Sequence, residues 1–171
     1  MKKNKTHLVF LVDRSGSMDS IKAAMEEAIN GVMVEQKDEP GECTVSMYQF
    51  DTKYEFGRGH TGMDLHVVCE NTDLNEVPKF ILNPRGGTPL IDAGCATIDR
   101  VGEHLSNLSE RERPEKVIFV LVTDGMENQS KEFKRDDLVR RIEHQRSKYK
   151  WTIMFLGANQ DAVEVGKSYG V

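Results

Sequence analysis

Leu8–Val9–Phe10–Leu11–Val12–Asp13–Arg14–Ser15–Gly16–Ser17–Met18 is the stretch that decides the fold. From His7 to Val12 the chain is a short continuous apolar run, which is how a strand covered on both faces reads. Beyond Ser17 the period changes. Ile21, Ala24, Met25, Ala28, Ile29, Val32 and Met33 recur at spacings of three and four, predicting an amphipathic helix to about Gln36, where Asp38–Glu39–Pro40–Gly41 breaks it. A strand buried on both faces, a polar loop and then a helix is the opening unit of a parallel α/β sheet.

The same alternation continues to the C-terminus. Cys43 to Phe50 and Tyr54 to Phe56 are rich in β-formers, and Asp51–Thr52–Lys53 between them reads as a hairpin turn. Leu65 to Cys69 reads as a further short strand and Leu74 to Leu82 as a short helix. Pro84–Arg85–Gly86–Gly87–Thr88–Pro89 is a turn-forming loop. Pro89 suits the first position of a helix that runs through Leu90, Ala93, Ala96, Thr97, Val101 and Leu105. After the charged loop Arg111–Glu115, the run KVIFVLVT, Lys116 to Thr123, is the most hydrophobic of the chain and is expected to be the central strand. A helix from Asp136 to Lys148, a strand from Trp151 to Leu156 and a last helix from Ala158 to Tyr169, ended by Gly170, complete the pattern. It predicts an α/β, Rossmann-like three-layer sandwich: a mostly parallel central sheet with helices on both faces and one antiparallel edge strand.

Composition narrows the functional classes. A length of 171 residues suits one domain spanning 1–171. With 38% hydrophobic and 30% charged residues, the chain is neither disordered nor a membrane span in composition. A net charge of −5 disfavours a phosphate-backbone binder, so no nucleic-acid partner is expected. The charge is unevenly spread: Asp19 to Glu42 carries seven acids and two lysines, whereas Lys131 to Lys150 carries eight Lys/Arg and four acids. Cys43, Cys69 and Cys95 are an odd set spaced 26 apart, unlike a disulfide framework or a zinc site, and read as reduced structural thiols. Met1–Lys2–Lys3–Asn4–Lys5 looks like the start of a signal peptide, but the apolar run after it is too short, so a cytoplasmic protein with no membrane segment is expected.

Three polar clusters carry the chemistry. Asp13–Arg14–Ser15–Gly16–Ser17 follows the first strand, Gly86–Gly87–Thr88 opens a long helix, and Thr123–Asp124–Gly125 follows the central strand. Sites of open α/β sheets form outside the carboxyl ends of strands, where strand order reverses, so the three clusters are expected in one crevice. Their donors are two carboxylates and three hydroxyls. An all-oxygen set suits a hard divalent cation, Mg²⁺, Mn²⁺ or Ca²⁺, rather than Zn²⁺. Alternate spacing in Asp13-x-Ser15-x-Ser17 lets one tight loop aim three oxygens at a point. So few charged ligands would leave a coordination position to water, which an acidic group of a partner could replace. Plainer roles stand beside these: Ser17 and Thr88 suit helix caps, Asp51 a turn acid with support of the ligands from behind as its alternative, Asp92 a complement to the helix dipole, and His60, His66, His104 and His144 surface or packing positions.

The series D-x-S-x-S, then T in G-G-T-P, then D in T-D-G, within LVFLVDRSGSM, PRGGTPLIDA and VIFVLVTDG, resembles the metal-ion-dependent adhesion site of von Willebrand factor type A (VWA) domains. The resemblance runs from about His7 to at least Leu156. It implies sheet order 3-2-1-4-5 with the hairpin strand at one edge. It also implies that Ser15 and Ser17 ligate the metal through their hydroxyls, Thr88 directly or through water, and Asp13 and Asp124 directly or by holding its waters. A Glu or Asp of a partner protein would fill the open position. The sequence departs from the family in stopping at Val171, before the usual last strand and helix; either the native chain continues or the sixth strand is absent, and the family's C-terminal switch helix is not carried over. Small intracellular bacterial or phage members often serve as adaptors of MoxR-type AAA+ ATPases, and the resemblance extends that role here.

The implied function is divalent-cation-dependent protein binding by a monomer, without catalysis. Two alternatives stay open at this stage: a metal-assisted phosphohydrolase, and a structural VWA module with a vestigial site. No G-x-S-x-G elbow and no G-x-x-x-x-G-K-[ST] loop supports a familiar hydrolase.

Overall fold

The structure is a computed structural model that describes residues 1–125, 127–157, 164 and 166–171. Strand β1 (Lys2–Asp13) leads through a 3₁₀ turn, Gly16–Ile21, into helix α1 (Lys22–Gln36). Strands β2 (Glu42–Glu55) and β3 (Gly59–Asp73) follow, then helix α2 (Leu90–Asn107), β4 (Pro114–Thr123), α3 (Arg135–Tyr149) and β5 (Thr152–Gly157). The five strands form one sheet in the order β3-β2-β1-β4-β5. All neighbours are parallel except β2 and β3, so both the expected order and the antiparallel edge are observed.

The apolar run of β1 is covered on both sides, as its composition requires. Leu8, Phe10 and Val12 pack with Ile29 and Met33 of α1 and with Val120 and Val122 of β4. Val9 and Leu11 face the other way, onto Leu90, Ile98 and Val101 of α2 and Leu138 and Ile142 of α3. At Gly94 those two helices pack closely: a Cβ there would lie 2.9 Å from Leu138 Cδ1. No helix among the described residues is long and apolar enough to cross a membrane.

Three local readings are corrected. Asp51–Thr52–Lys53 is not a turn but lies within the continuous strand β2. The reversal comes at Phe56–Gly57–Arg58, where Gly57 (φ +79°) and Gly59 (φ +74°) adopt the left-handed backbone that glycine favours. Asp51 and Thr52 tolerate a strand interior because distant partners satisfy them, as shown below. Second, β3 extends far beyond Leu65–Cys69, and Leu74 to Leu82 is not a helix: only Leu74–Glu76 makes one 3₁₀ turn. Pro78 has no N–H to give a helix. The backbone there is held by α1 instead: Phe80 N donates to Asn30 Oδ1 (2.8 Å), Asn30 Nδ2 donates to Phe80 O (3.0 Å), and Leu82 N donates to Glu26 Oε1 (2.8 Å). Third, Pro89 occupies the N-cap of α2 rather than its first helical position. Most of the helix expected over Ala158–Tyr169 lies outside the described residues. Its end is described, with Tyr169 buried in the core and Gly170 at φ +81°.

Candidate metal site

The carboxyl ends of β1 and β4 are adjacent, with Val12 opposite Val122, so Asp13 and Thr123–Asp124 emerge side by side. Asp13 is fully buried. Its Oδ1 accepts from the backbone N of Ser15 at 2.7 Å and its Oδ2 from Thr123 Oγ1 at 2.6 Å. Those two bonds fold the Asp-x-Ser loop back over its own strand end. Ser15 Oγ and Ser17 Oγ lie 3.1 Å apart, and Ser17 Oγ donates to Asp124 Oδ1 at 2.9 Å. Asp13, Ser15, Ser17 and Asp124 are therefore one hydrogen-bonded cluster.

Thr88 reaches the same edge through its loop. Gly16 N donates to Gly86 O (3.1 Å) and Arg85 N to Arg14 O (2.7 Å), zipping the two loops together. Thr88 is buried and held on its other side, where its N donates to Asn128 Oδ1 (3.0 Å) and its O accepts from Asn128 N (3.1 Å).

Ser17 and Thr88 do not occupy the N-cap positions: Ser15 precedes the 3₁₀ turn, Ile21 precedes α1 and Pro89 precedes α2, none with a side-chain cap bond. The first turn of α2 is served from across the site instead: Ile91 N donates to Glu127 Oε2 (2.9 Å) and Asp92 N to Ser130 Oγ (3.0 Å). Glu127 also accepts from the N–H groups of Gln129 and Ser130. Asp92 lies in the first turn of α2, where an acid complements the helix dipole, and it is also buried and accepts from the backbone of Lys131, Glu132 and Phe133.

A clasp of four charges lies next to the cluster. Arg14 Nη2 donates to Asp51 Oδ1 (2.9 Å) and Asp64 Oδ2 (2.8 Å), and Arg85 donates to the same two carboxylates through Nε and Nη2, both at 2.5 Å. Asp51 is fully buried between the two guanidiniums, so its reading as a turn acid is also corrected. Next to it, Gly87 N donates to Thr52 Oγ1 (2.9 Å), which also meets His60 Nδ1 at 2.7 Å. The sequence reading missed Arg14, Asp64, Arg85, Glu127 and Asn128, and for Asp51 it favoured the turn over a supporting role behind the ligands. The spacing Gly57-x-Gly59 was the local signal that placed the turn later and Asp51 inside the strand.

The electrostatics of the cluster suit a cation. Arg14 points away to its clasp, and among the described residues Asp13 joins no ion pair. Burial pushes the Asp13 carboxyl up to about 6; its hydrogen bonds from Thr123 and Ser15 oppose the rise and the neighbouring Asp124 charge adds to it. A nearby positive charge would hold that group ionised. No three His, Cys, Asp or Glu side chains cluster among the described residues, so a cation here would depend on hydroxyl oxygens.

No protein-family model matches the sequence, and no curated protein does. Solved structures do match in shape. Manganese-loaded TRAP protein of Plasmodium vivax is 18% identical, with a TM-score of 0.59 over 94% of this chain and 59% of that one. Proximal thread matrix protein 1 of the mussel byssus, with a zinc-occupied metal-ion-dependent adhesion site, is 14% identical, with a TM-score of 0.57 over 90% of this chain and 36% of that one. A von Willebrand factor type A protein from Catenulispora acidiphila is 14% identical, with a TM-score of 0.56 over 97% and 37%. The chain thus spans about a third to three-fifths of the length of these structures. At such identities the likeness shows the fold, which is the VWA fold.

Proposed function

We propose that this chain is a VWA domain that binds an acidic residue of a partner protein through a divalent cation held by Asp13, Ser15, Ser17, Thr88 and Asp124. The observation that carries the reading is the meeting of oxygen donors from separate loops at the reversal point of the sheet, where Ser17 Oγ bridges Ser15 and Asp124. Their chemistry fits Mg²⁺, Mn²⁺ or Ca²⁺. When bound, such a cation supplies a positive centre with a position open to a carboxylate oxygen. Ser15 and Ser17 offer neutral donors, so charge is left for the incoming carboxylate to neutralise. Asp13, locked by Thr123 and by the Ser15 backbone, orients the loop, and Asp124 sets the position of Ser17. The domain is read as a binding module rather than an enzyme. The buried thiols Cys43, Cys69 and Cys95, all free, suit a reducing, cytoplasmic compartment. Service as an adaptor to a MoxR-type AAA+ ATPase is the more specific form of this reading, supported by the sequence resemblance alone.

The test is thermal unfolding with and without Mg²⁺. A ligand at about 100 times its Kd adds about 2.7 kcal/mol to stability. The expected stabilisation is present in the wild type, reversed by EDTA and lost in Ser17→Ala and Asp124→Ala. A wild type indifferent to millimolar Mg²⁺ and Mn²⁺ refutes the reading.

A further inference from the structure

Strand β2 outruns its neighbour. Its last pair with β1 is Phe50 opposite Asp13, yet it continues to Glu55, turns, and returns as β3 from Gly59. Residues 51–64 are therefore a two-stranded arm at the sheet end that carries the Asp13–Asp124 cluster. At about 3.3 Å per residue, the six steps from Phe50 to Phe56 extend up to about 20 Å past the level of Asp13. The base of this arm is fixed. The clasp of Arg14 and Arg85 grips Asp51 and Asp64, Gly87 N bonds Thr52, and Lys131 Nζ donates to His60 O at 3.0 Å.

The tip carries two exposed aromatics, of which Tyr54 meets the His60 ring edge-on with centroids 5.7 Å apart. Phe56 is 97% exposed and Tyr54 65%, more than any other aromatic side chain described. Gly57 and Gly59 make the turn, and a polar residue at 56 would serve it equally well. Lys53 and Arg58 flank the aromatics, and each pairs with Glu55, at 3.5 and 3.7 Å. At the base Asp51 and Asp64 match Arg14 and Arg85, which leaves Lys53, Arg58 and Lys131 exposed against Glu55, in a chain whose net charge is −5. Exposed aromatics beside arginine are the composition of protein-binding hot spots, and the local positive excess favours an acidic partner over a second copy of this acidic chain.

We infer that the arm is a second docking point for the protein that engages the cluster. That partner presents a carboxylate to the cluster and, up to about 20 Å away, an apolar side chain flanked by acidic residues that seats on Tyr54 and Phe56. The inference rests on the cation reading of the cluster.

A displayed library of peptides about twelve residues long, long enough to span that distance in extended form, carries one fixed Asp and is selected on the wild-type protein in Mg²⁺. Enriched clones are expected to pair the Asp with an aromatic or aliphatic residue and further acids. Their affinity should fall about tenfold on Tyr54→Ser/Phe56→Ser, the scale of a hot-spot aromatic. That double variant should keep the wild-type Mg²⁺ shift; the single Phe56→Ser variant should also keep the wild-type melting curve, whereas Tyr54→Ser gives up the edge-on contact with His60. Clones that need Mg²⁺ and Asp124 yet bind the arm variant unchanged overturn the inference and leave the cluster reading standing. Clones that lose the arm variant but ignore EDTA and Asp124→Ala overturn both, since they remove the joint contact. A selection with no Mg²⁺-dependent clone also counts against both. Sedimentation with phosphatidylserine–phosphatidylcholine vesicles that is lost in the arm variant would assign the arm to a lipid surface instead.

Discussion

Gly86→Ala tests whether the Thr88 loop is seated as tightly as the geometry requires. Gly86 has φ +66°, and a Cβ there would lie 2.6 Å from Thr52 Oγ1 and 3.3 Å from the backbone N and O of Thr52. The left-handed backbone alone costs an alanine about 1–2 kcal/mol. Thr52 cannot simply rotate aside, because its Oγ1 accepts from Gly87 N at 2.9 Å and meets His60 Nδ1 at 2.7 Å. Losing those two bonds adds about 1 kcal/mol each, which brings the total to about 3 kcal/mol or slightly more. For a chain of this length that lowers Tm by about 6–12 °C. The displaced loop carries Thr88, so stabilisation by Mg²⁺ should shrink as well. Gly125→Ala is the internal control: it lies in the facing loop, a Cβ there meets nothing within 4 Å, and it should stay within about 0.5 kcal/mol of wild type. Urea and thermal unfolding of the three proteins, with and without Mg²⁺, decide the matter. If Gly86→Ala unfolds with wild type and responds to Mg²⁺ as wild type does, the seating argument is wrong.

Other perturbations probe separate parts of the molecule. His7 is buried on Thr44 Oγ1 (2.8 Å), and burial, with the nearby charges of His104 and Lys5, lowers it from 6.5 to about 4. Between those values the unfolded chain binds a proton that the folded chain refuses, so stability falls as pH drops through the window, by up to about 3 kcal/mol. The advantage of wild type over His7→Gln in urea melts should therefore narrow from neutral pH to pH 4, and a constant gap would contradict this. Asp92→Asn leaves one side-chain oxygen for three backbone donors, Lys131, Glu132 and Phe133, and should cost about 2–4 kcal/mol. Hydrogen exchange at those amides should rise with it, and unchanged protection would show that Asp92 does not hold the loop. Asp51→Ala removes the buried partner of Arg14, leaving it only the half-exposed Asp64, and should cost about 2–4 kcal/mol, little affected by salt because the Arg14–Asp51 pair is shielded from solvent. A loss below about 1 kcal/mol, the worth of an exposed pair, would show that the clasp behaves as a surface salt bridge. Burial pushes the Cys43 thiol up to about 11 and Cys95 up to about 12, so both should resist thiol reagents in the native state and react on unfolding.

Much of the fold was legible because it is written at short range. The unbroken apolar run of β1 announced a strand covered on both faces, and the spacing of three and four after Ser17 announced α1. Strand-end placement then brought Asp13, Ser15, Ser17 and Asp124 to one edge, as the structure shows. Boundaries were less legible where a polar residue had a remote partner. Asp51–Thr52–Lys53 has the local polarity of a turn, and nothing within a few residues reveals that Arg14, 37 positions away, and Arg85, 34 positions away, satisfy Asp51 inside a strand. Likewise, Leu74 to Leu82 looks helical until Asn30 and Glu26, 50 and 56 positions back, are seen to take its backbone bonds.

By itself, then, the sequence determined the layers and which polar residues sit at the strand ends, because these follow from hydrophobic periodicity; the strand order was implied by the family resemblance and not by periodicity. Only the tertiary structure decided how the donors are held: Thr123 on Asp13, Asn128 on Thr88, Glu127 on the start of α2, and two arginines on Asp51. It also decided that β2 and β3 run on past the site as an arm with Phe56 at its tip. The physical reason is the same in each case. A buried polar group must find a partner, and that partner is fixed by proximity in space, which local pattern along the chain does not encode.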